Sequence, residues 1–391
     1  MKKDIRQGNV VPIQTIHRPQ ITTLWPIEPI PRPSSPTDQE VAMSPMAISP
    51  TDVLARAPQY AVSSQRENLT HKDDPSWGQK VLRITTEILL SPIRLTGQLI
   101  NLVLPIGRIV DAVTYPGWST NEKITPQKNR RIFRQTLLAA NDSEHVSIPV
   151  RAYLYGPIQN PIKTINLDGV YLKSTDHPTA KTVLFCCPNA DHYETNNTLA
   201  KFYTEKMGYN VLLFNYRGFG DSQGVPTPQR TLRDMESICA WLKREKGIED
   251  SDILVHGRSL GASHAAYLAS NHPNMSLVCD RGFRSLPDAA GSMVKSRIRL
   301  LKNTLGAIIY GLTWFFCANR LSTQYYLDAT KGPKLTVADH KDQQFENVKS
   351  SGDILELNSN YQGNSHNDLE LTLDSPLFQE WLQKNFRKAN Q

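Results

Sequence analysis

The sequence predicts an α/β domain: a mostly parallel, doubly wound sheet with an antiparallel N-terminal edge and a small helical cap, preceded by a disordered Pro-rich tail. Three observations predict it. From Lys181 onward, short runs that are apolar throughout alternate with stretches of helical spacing, the pattern of a parallel sheet covered on both faces. The polar, glycine-rich segments fall just after those runs, at the carboxyl ends of the strands, where such sheets bind ligands. Residues 1–75 hold 11 of the 26 prolines, with many Ser, Thr and Gln, and show neither helical nor strand periodicity.

Three segments follow from these shifts: a tail over 1–75, an apolar and basic helical segment over 76–129, and the α/β domain over 130–391. Composition alone cannot fold the tail around a core. "PIEPIPRPSSP" within it also has the form of a proline-rich ligand for a partner domain. In the second segment, Lys80, Arg83, Arg94 and Arg108 stand against Glu87 among many Leu, Ile and Val residues. Pro92 and Pro105 divide it into helices too short to span a bilayer, which needs about 20 residues. Two readings are open: helices packed on the domain, or a basic amphipathic surface resting on a membrane.

The α/β domain begins with "RRIFRQTLLAA", "IPVRAYLYG" and "TINLDGVYLKS", read as β-like runs forming the antiparallel edge. Strands are then expected at "KTVLFCCPN", "YNVLLFNYRG", "SDILVHG", "SLVCDRGF", "PKLTVAD" and "DILEL". Helices are expected near 198–207 and 231–246 and from Leu260. A detour over 284–330 would form the cap. It contains the basic, amphipathic "VKSRIRLLK" and the almost wholly apolar "TLGAIIYGLTWFFC", read either as a helix buried against the sheet or as a lid admitting an acyl chain.

Charge and cysteine usage narrow the partners. The net charge of +7 is spread thinly over 391 residues, without a dense basic run or zinc-ligand spacing, so nucleic acid is not an expected partner. Five cysteines, two of them adjacent in a strand where they point to opposite faces, read as reduced structural thiols in a cytosolic setting. The N-terminus lacks the apolar run and small-residue cleavage site of a Sec signal peptide.

Gly257-Arg258-Ser259-Leu260-Gly261 matches G-x-S-x-G, in which glycines permit a sharp strand-to-helix turn that lifts the serine hydroxyl clear of the sheet. Serine needs a histidine to take its proton, and the histidine needs a carboxylate to hold its tautomer. Downstream lie Asp339 and Asp342 in one loop and His366 in the next, which gives the order serine, acid, histidine. His256 and His264 read as core residues, and His192 as a residue within reach of substrate. Arg217 and Gly218 read as shaping a turn.

"NYRGFGDSQG", "VHGRSLGAS" and "GNSHNDLEL" resemble the corresponding segments of the α/β-hydrolase superfamily, especially its branch of serine depalmitoylases and monoacylglycerol lipases. The resemblance covers about 130–386. With its proline-rich extension the chain also resembles the SidB and Sdb lipase-like effectors of Legionella. The resemblance implies an α/β-hydrolase fold and a serine hydrolase, lipase-like, cleaving acyl esters or thioesters without metal or cofactor. It maps Ser259 to the nucleophile, His366 to the base and Asp342 to the acid, with Asp339 and Asp280 as alternative acids. It places the oxyanion hole at the Leu260 N–H and at Asn189 or Ala190. Cys187-Pro188 stands where the family has His-Gly, and proline has no N–H to offer. The effector resemblance implies a protein of the bacterial cytoplasm translocated by a type IV system into host cytosol or membranes. The alternative is a catalytically idle hydrolase fold that binds protein or membrane.

Overall fold

In a computed structural model of the chain, the described residues are 126–386 apart from 140–142, 154–160, 175–180, 293–298, 317–320, 340–347, 349–351, 358–365 and 367, together with Leu90, Thr114 and Tyr115. All belong to the compact unit Pro58–Gln391. The proline-rich tail, nearly all of 76–129, and Asp342 therefore lie outside the described residues.

The chain runs α1 (Gln127–Leu138), β1 (Glu144–Tyr153), β2 (Pro161–Leu172), β3 (Thr182–Cys186), α2 (Asn197–Lys201) continuing as a π-helical turn over Phe202–Lys206, and β4 (Asn210–Phe214). It continues through α3 (Pro228–Lys246), β5 (Ile253–Arg258), α4 (Leu260–Asn271), β6 (Ser276–Asp280), α5 (Leu286–Ser292), α6 (Arg299–Phe316) and α7 (Thr323–Ala329). The last elements are β7 (Lys334–Asp339), β8 (Asp353–Leu357), α8 (Glu370–Leu373) and α9 (Pro376–Asn385).

One eight-stranded sheet takes the order β1-β2-β4-β3-β5-β6-β7-β8. β2 is antiparallel to both β1 and β4, and every other neighbouring pair is parallel. β3, β4, β5 and β6 are buried along their whole length, which is why their sequences are apolar without alternation. The crossover helix α3 carries ordinary terminal signals. In α3 the Thr227 hydroxyl accepts from the Arg230 N–H, Pro228 occupies the first turn, and Gly247 ends the helix at φ 65°.

One expected strand is a helix. "RRIFRQTLLAA" lies mostly in α1, whose buried residues are Arg130 and Leu137, while Ile132 and Phe133 are exposed. Arg134, between them at helical spacing, donates to Asp168 at 2.8 Å, Glu194 at 2.9 Å and Asp221 at 2.8 Å. The helix docks through Arg130 and Arg134 as well as Leu137, while Ile132 and Phe133 face outward, so its hydrophobic pattern misstates its period.

Over 284–330, the stretch expected to form the cap, the described residues make up α5, α6 and α7. α7 lies on α4, where Ser263 and Thr323 hydroxyls meet at 2.5 Å and the Tyr267 and Tyr326 rings pack edge to face at 5.3 Å. α6 packs on α5, and its described apolar side chains Ile308, Tyr310 and Leu312 are 52%, 42% and 50% exposed. Burial against the sheet is thus not what these side chains show. Among the described residues no helix is long and apolar enough to cross a membrane.

The tightest packing in the sheet is beneath the β5–α4 turn. A Cβ on Gly261 would stand 2.0 Å from the Cys186 carbonyl oxygen and 2.7 Å from that of Cys187; one on Gly257 would stand 2.2 Å from the Gly261 oxygen. These contacts are to backbone, which cannot rotate away. Gly261→Ala is expected to lower stability by about 3 kcal/mol in urea unfolding; a wild-type midpoint would show that this turn has slack.

Candidate functional site

Strand β5 ends in a backbone conformation that few residues adopt. Ser259 has φ 52° and ψ −116°, a strain of about 1–3 kcal/mol. The turn is held by the Ser259 N–H, which donates to the Asp280 carbonyl at the end of β6 at 2.9 Å, and by the Ala262 N–H, which donates to the Ser259 carbonyl at 3.1 Å. The glycine contacts beneath it leave no room for a relaxed path. Ser259 is therefore presented at the start of α4 with its side chain above the sheet.

His366 follows β8 and meets it there. Its Nε2 lies 3.0 Å from the Ser259 Oγ, and both residues are buried. With Nε2 as acceptor the serine O–H points at the ring, and the imidazole carries its proton on Nδ1. Leu260 is the first residue of α4, so its N–H is one of the helix's initial donors lacking an intrahelical acceptor, at the positive end of the helix dipole.

The loop leaving β3 passes against that first turn, since Cys186 and Cys187 carbonyls contact Gly261. It is fastened at several points: the Tyr216 hydroxyl donates to the Cys187 carbonyl at 3.0 Å, the Asn189 Nδ2 to the Thr114 carbonyl at 3.2 Å, and the Asn196 Nδ2 to Asp191 at 3.1 Å. Ala190 is left-handed at φ 61°. The chain thus turns sharply after Pro188 despite lacking the family's glycine there.

The three aspartates differ in surroundings. Asp342 lies outside the described residues. Asp339 ends β7 and is buried. Asp280 is committed elsewhere: it accepts from Arg281 Nε at 2.7 Å and Nη2 at 3.0 Å, and from the Thr372 hydroxyl at 3.2 Å. Its other neighbour is the His256 Nε2, 3.8 Å away, an ion-pair separation rather than a hydrogen bond. Burial works to raise the Asp280 pKa, but the Arg281 guanidinium and the hydrogen bonds override it and hold the carboxyl far below its usual 3.8.

The remaining histidines are internal. His256 is buried on β5 with its Nδ1 2.8 Å from the Tyr203 hydroxyl, and burial lowers its pKa. Burial pushes His264 down to about 4; its Nδ1 donates to the Leu260 carbonyl at 3.0 Å, and its Nε2 lies 2.9 Å from the Thr231 hydroxyl. His192, expected within reach of substrate, is fully buried and caps the 3-10 turn Tyr193–Thr195. Arg217 pairs with Asp234, its Nε donating at 2.6 Å, and Gly218 has φ 77°.

Cys186, Cys187, Cys239 and Cys279 are buried free thiols. Among the described residues, Cys239, Asp250 and His272 could share a metal ion, with ligand atoms within 4.8 Å of one another. Their polar atoms are already engaged: Lys243 lies 2.6 Å from Asp250, and His272 bridges Asp250 and Glu236, both at 3.0 Å.

Sequence reasoning named Arg258 only as part of the elbow motif and missed Arg281; both are buried and reach residues at or just after His366. Arg258 Nη2 donates to the His366 carbonyl at 2.5 Å, and Arg281 Nη1 to the Asp368 carbonyl at 2.7 Å. Their signal was present, since Arg258 is the variable residue before Ser259 and Arg281 follows Asp280 directly. Nothing in their identity, however, tells a buried cation from a solvated one.

The sheet order, the antiparallel second strand and the strained serine at the β5–α4 turn place the chain in the α/β-hydrolase superfamily. The chain belongs to the family described as Chlamydia CHLPS protein (DUF818), whose model matches residues 102–311. It is 26% identical over 189 residues to the α/β hydrolase domain-containing protein WAV2 of Arabidopsis thaliana, covering 48% of this chain and 54% of that one. It is 28% identical over 159 residues to phosphatidylserine lipase ABHD16A of Homo sapiens, covering 38% and 27%. The chain thus spans about half the length, or less, of these relatives. Among solved structures, an α/β hydrolase from Vibrio vulnificus aligns with TM-score 0.45 and 20% identity over 63% of this chain and 87% of its own.

Asp280→Asn leaves Arg281 buried without its carboxylate, and breaking such a pair costs about 3–5 kcal/mol. Because the folded pKa lies below the unfolded value near 3.8, this contribution is complete above that value and drains away as pH falls. Urea unfolding from pH 7 down to 3 is expected to show a destabilised variant with a flatter acid limb. Wild-type stability at pH 7 would mean that Asp280 is not the structural anchor described.

Proposed function

We propose that this chain is a serine hydrolase that cleaves carboxylic esters or thioesters of acyl chains through an acyl-enzyme. The observation that carries the reading is the 3.0 Å contact between Ser259 Oγ and His366 Nε2 at a strained strand-to-helix turn. In this mechanism His366 takes the serine proton as Oγ attacks the carbonyl carbon, and the Leu260 N–H stabilises the oxyanion from the helix terminus. A second N–H from Asn189 or Ala190 completes the hole. The imidazolium then protonates the leaving group, and water, deprotonated by His366, releases the acid. Asp342 is the proposed partner of the His366 Nδ1–H, with Asp339 as its alternative. No metal or cofactor takes part.

Lipid esters are the proposed substrates, and the membrane surface the proposed place of work. The lipase name of the human relative supports this, as do the exposed apolar side chains of α6 that follow the cations Lys295, Arg297, Arg299 and Lys302. We place the chain as an effector translocated into host cells, with the proline-rich tail available to a host protein. A reporter fusion tests that placement, an absence of transfer into host cells counting against it. Pro188 favours a second reading, a hydrolase fold that binds without turnover, because the family's glycine is missing from the loop.

Hydrolysis of p-nitrophenyl esters of increasing chain length separates these readings. Ser259→Ala and His366→Ala are expected to lose at least about 10⁴-fold in kcat, and longer acyl chains to be turned over faster by the wild type. Asp342→Asn should cost far more than Asp339→Asn. Equal rates in wild type and Ser259→Ala would end the serine-hydrolase reading, and indifference to chain length would remove lipids as the substrate class.

A further inference from the structure

Two buried arginines reach His366 or residues just after it, and the mechanism above uses neither. Arg258 adjoins Ser259 in sequence, and its Nη2 donates to the backbone carbonyl of His366 itself at 2.5 Å. Arg281 follows β6 in a left-handed conformation, φ 47°, with its N–H donating to the Val337 carbonyl of β7 at 2.9 Å. Its side chain donates to the Asp368 carbonyl at 2.7 Å and to the Thr372 hydroxyl at 3.0 Å while remaining paired with Asp280. Both arginines thus reach residues close in sequence, His366, Asp368 and Thr372, from the ends of two adjacent strands.

We propose that Arg258 and Arg281 are positioning residues that clamp the His366-bearing segment to the carboxyl ends of β5 and β6 and so set the Ser259–His366 distance. The proposal rests on the catalytic reading given above. At Arg281 the planar fork donates to several acceptors at once, Asp280, Asp368 and Thr372, which a lysine's point charge on a flexible stem could not match; Arg258 contributes one donation, to the His366 carbonyl. Stability alone does not explain the pair. Burial and the neighbouring Arg281 both work against the Arg258 charge, with Asp280, Asp191 and Asp368 as its counter-charges. Two like charges held in one buried cluster are poor stabilisers compared with apolar residues of the same volume. What they supply is geometry: the link from Ser259 to His366 runs through one side chain and one hydrogen bond.

Their removal should therefore act on turnover more than on binding. Arg258→Met keeps the volume and removes every donor; Arg258→Lys restores a cationic donor group. With p-nitrophenyl butyrate as substrate, Arg258→Met is expected to lower kcat about 10- to 100-fold with KM within about twofold of wild type. Arg258→Lys should regain most of that loss. Thr372→Val, which with little change of shape removes the hydroxyl that accepts from Arg281 and donates to Asp280, should lower kcat several-fold while the protein stays folded with a modestly lower melting temperature.

A folded Arg258→Met with kcat within twofold of wild type would overturn the clamp, as would a loss that Arg258→Lys does not reduce. Should Arg258→Met not fold, Thr372→Val decides: reduced kcat supports the clamp and wild-type kcat overturns it. Ser259→Ala in the same assay keeps the two proposals apart. Full activity there removes the catalytic reading, whereas a dead Ser259→Ala beside a fully active Arg258→Met removes only the clamp.

Discussion

The contact between the first turn of α4 and the end of β3 is the constraint from which the site follows. Gly261 lies so close to the Cys186 and Cys187 carbonyls that no side chain fits, and Gly257 lies equally close to Gly261. Backbone this near backbone forces the chain to turn from strand to helix within one residue. That residue is Ser259, whose strained dihedrals are the cost of the approach. The same contact seats the Cys186–Cys187 stretch at the end of β3 against the first turn of α4.

Around this turn, buried charge holds the loops at the carboxyl ends of the strands. Arg217 and Asp234 fasten the loop after β4 to α3, and Arg134 ties α1 to Asp168, Glu194 and Asp221. Burial lifts the Asp234 pKa to about 6 even though Arg217 opposes it, a sign of how little water reaches the pair. Such networks contribute less to net stability than an apolar core of equal size, but once satisfied they admit few alternative arrangements. The sheet supplies the stability, and these pairs supply the placement.

Where the physics is apolar, the sequence is informative. The unbroken runs at Thr182–Cys186, Asn210–Phe214, Ile253–Arg258 and Ser276–Asp280 are legible as central strands because both faces are buried. The serine motif is legible because its glycines answer a steric need that few other folds have. α1 was not legible, since the residues it buries include Arg130 while Ile132 and Phe133 face outward. The partners of Arg258, named only as part of the elbow motif, and of Arg281 were hidden for a related reason: they are carbonyls more than 80 residues away in the chain. A buried polar residue declares itself only when its partners are known.

The central claim is that Ser259 is chemically activated by its turn and by His366. Intact-mass spectrometry of the full chain after exposure to a fluorophosphonate tests this most directly, because the reagent needs only an activated nucleophile and not the natural substrate. The account predicts one adduct on wild-type protein, mapped to the peptide containing Ser259, and none on Ser259→Ala. Folded wild-type protein that takes up no adduct, in buffer and with liposomes present, or an adduct that persists in Ser259→Ala, would contradict it.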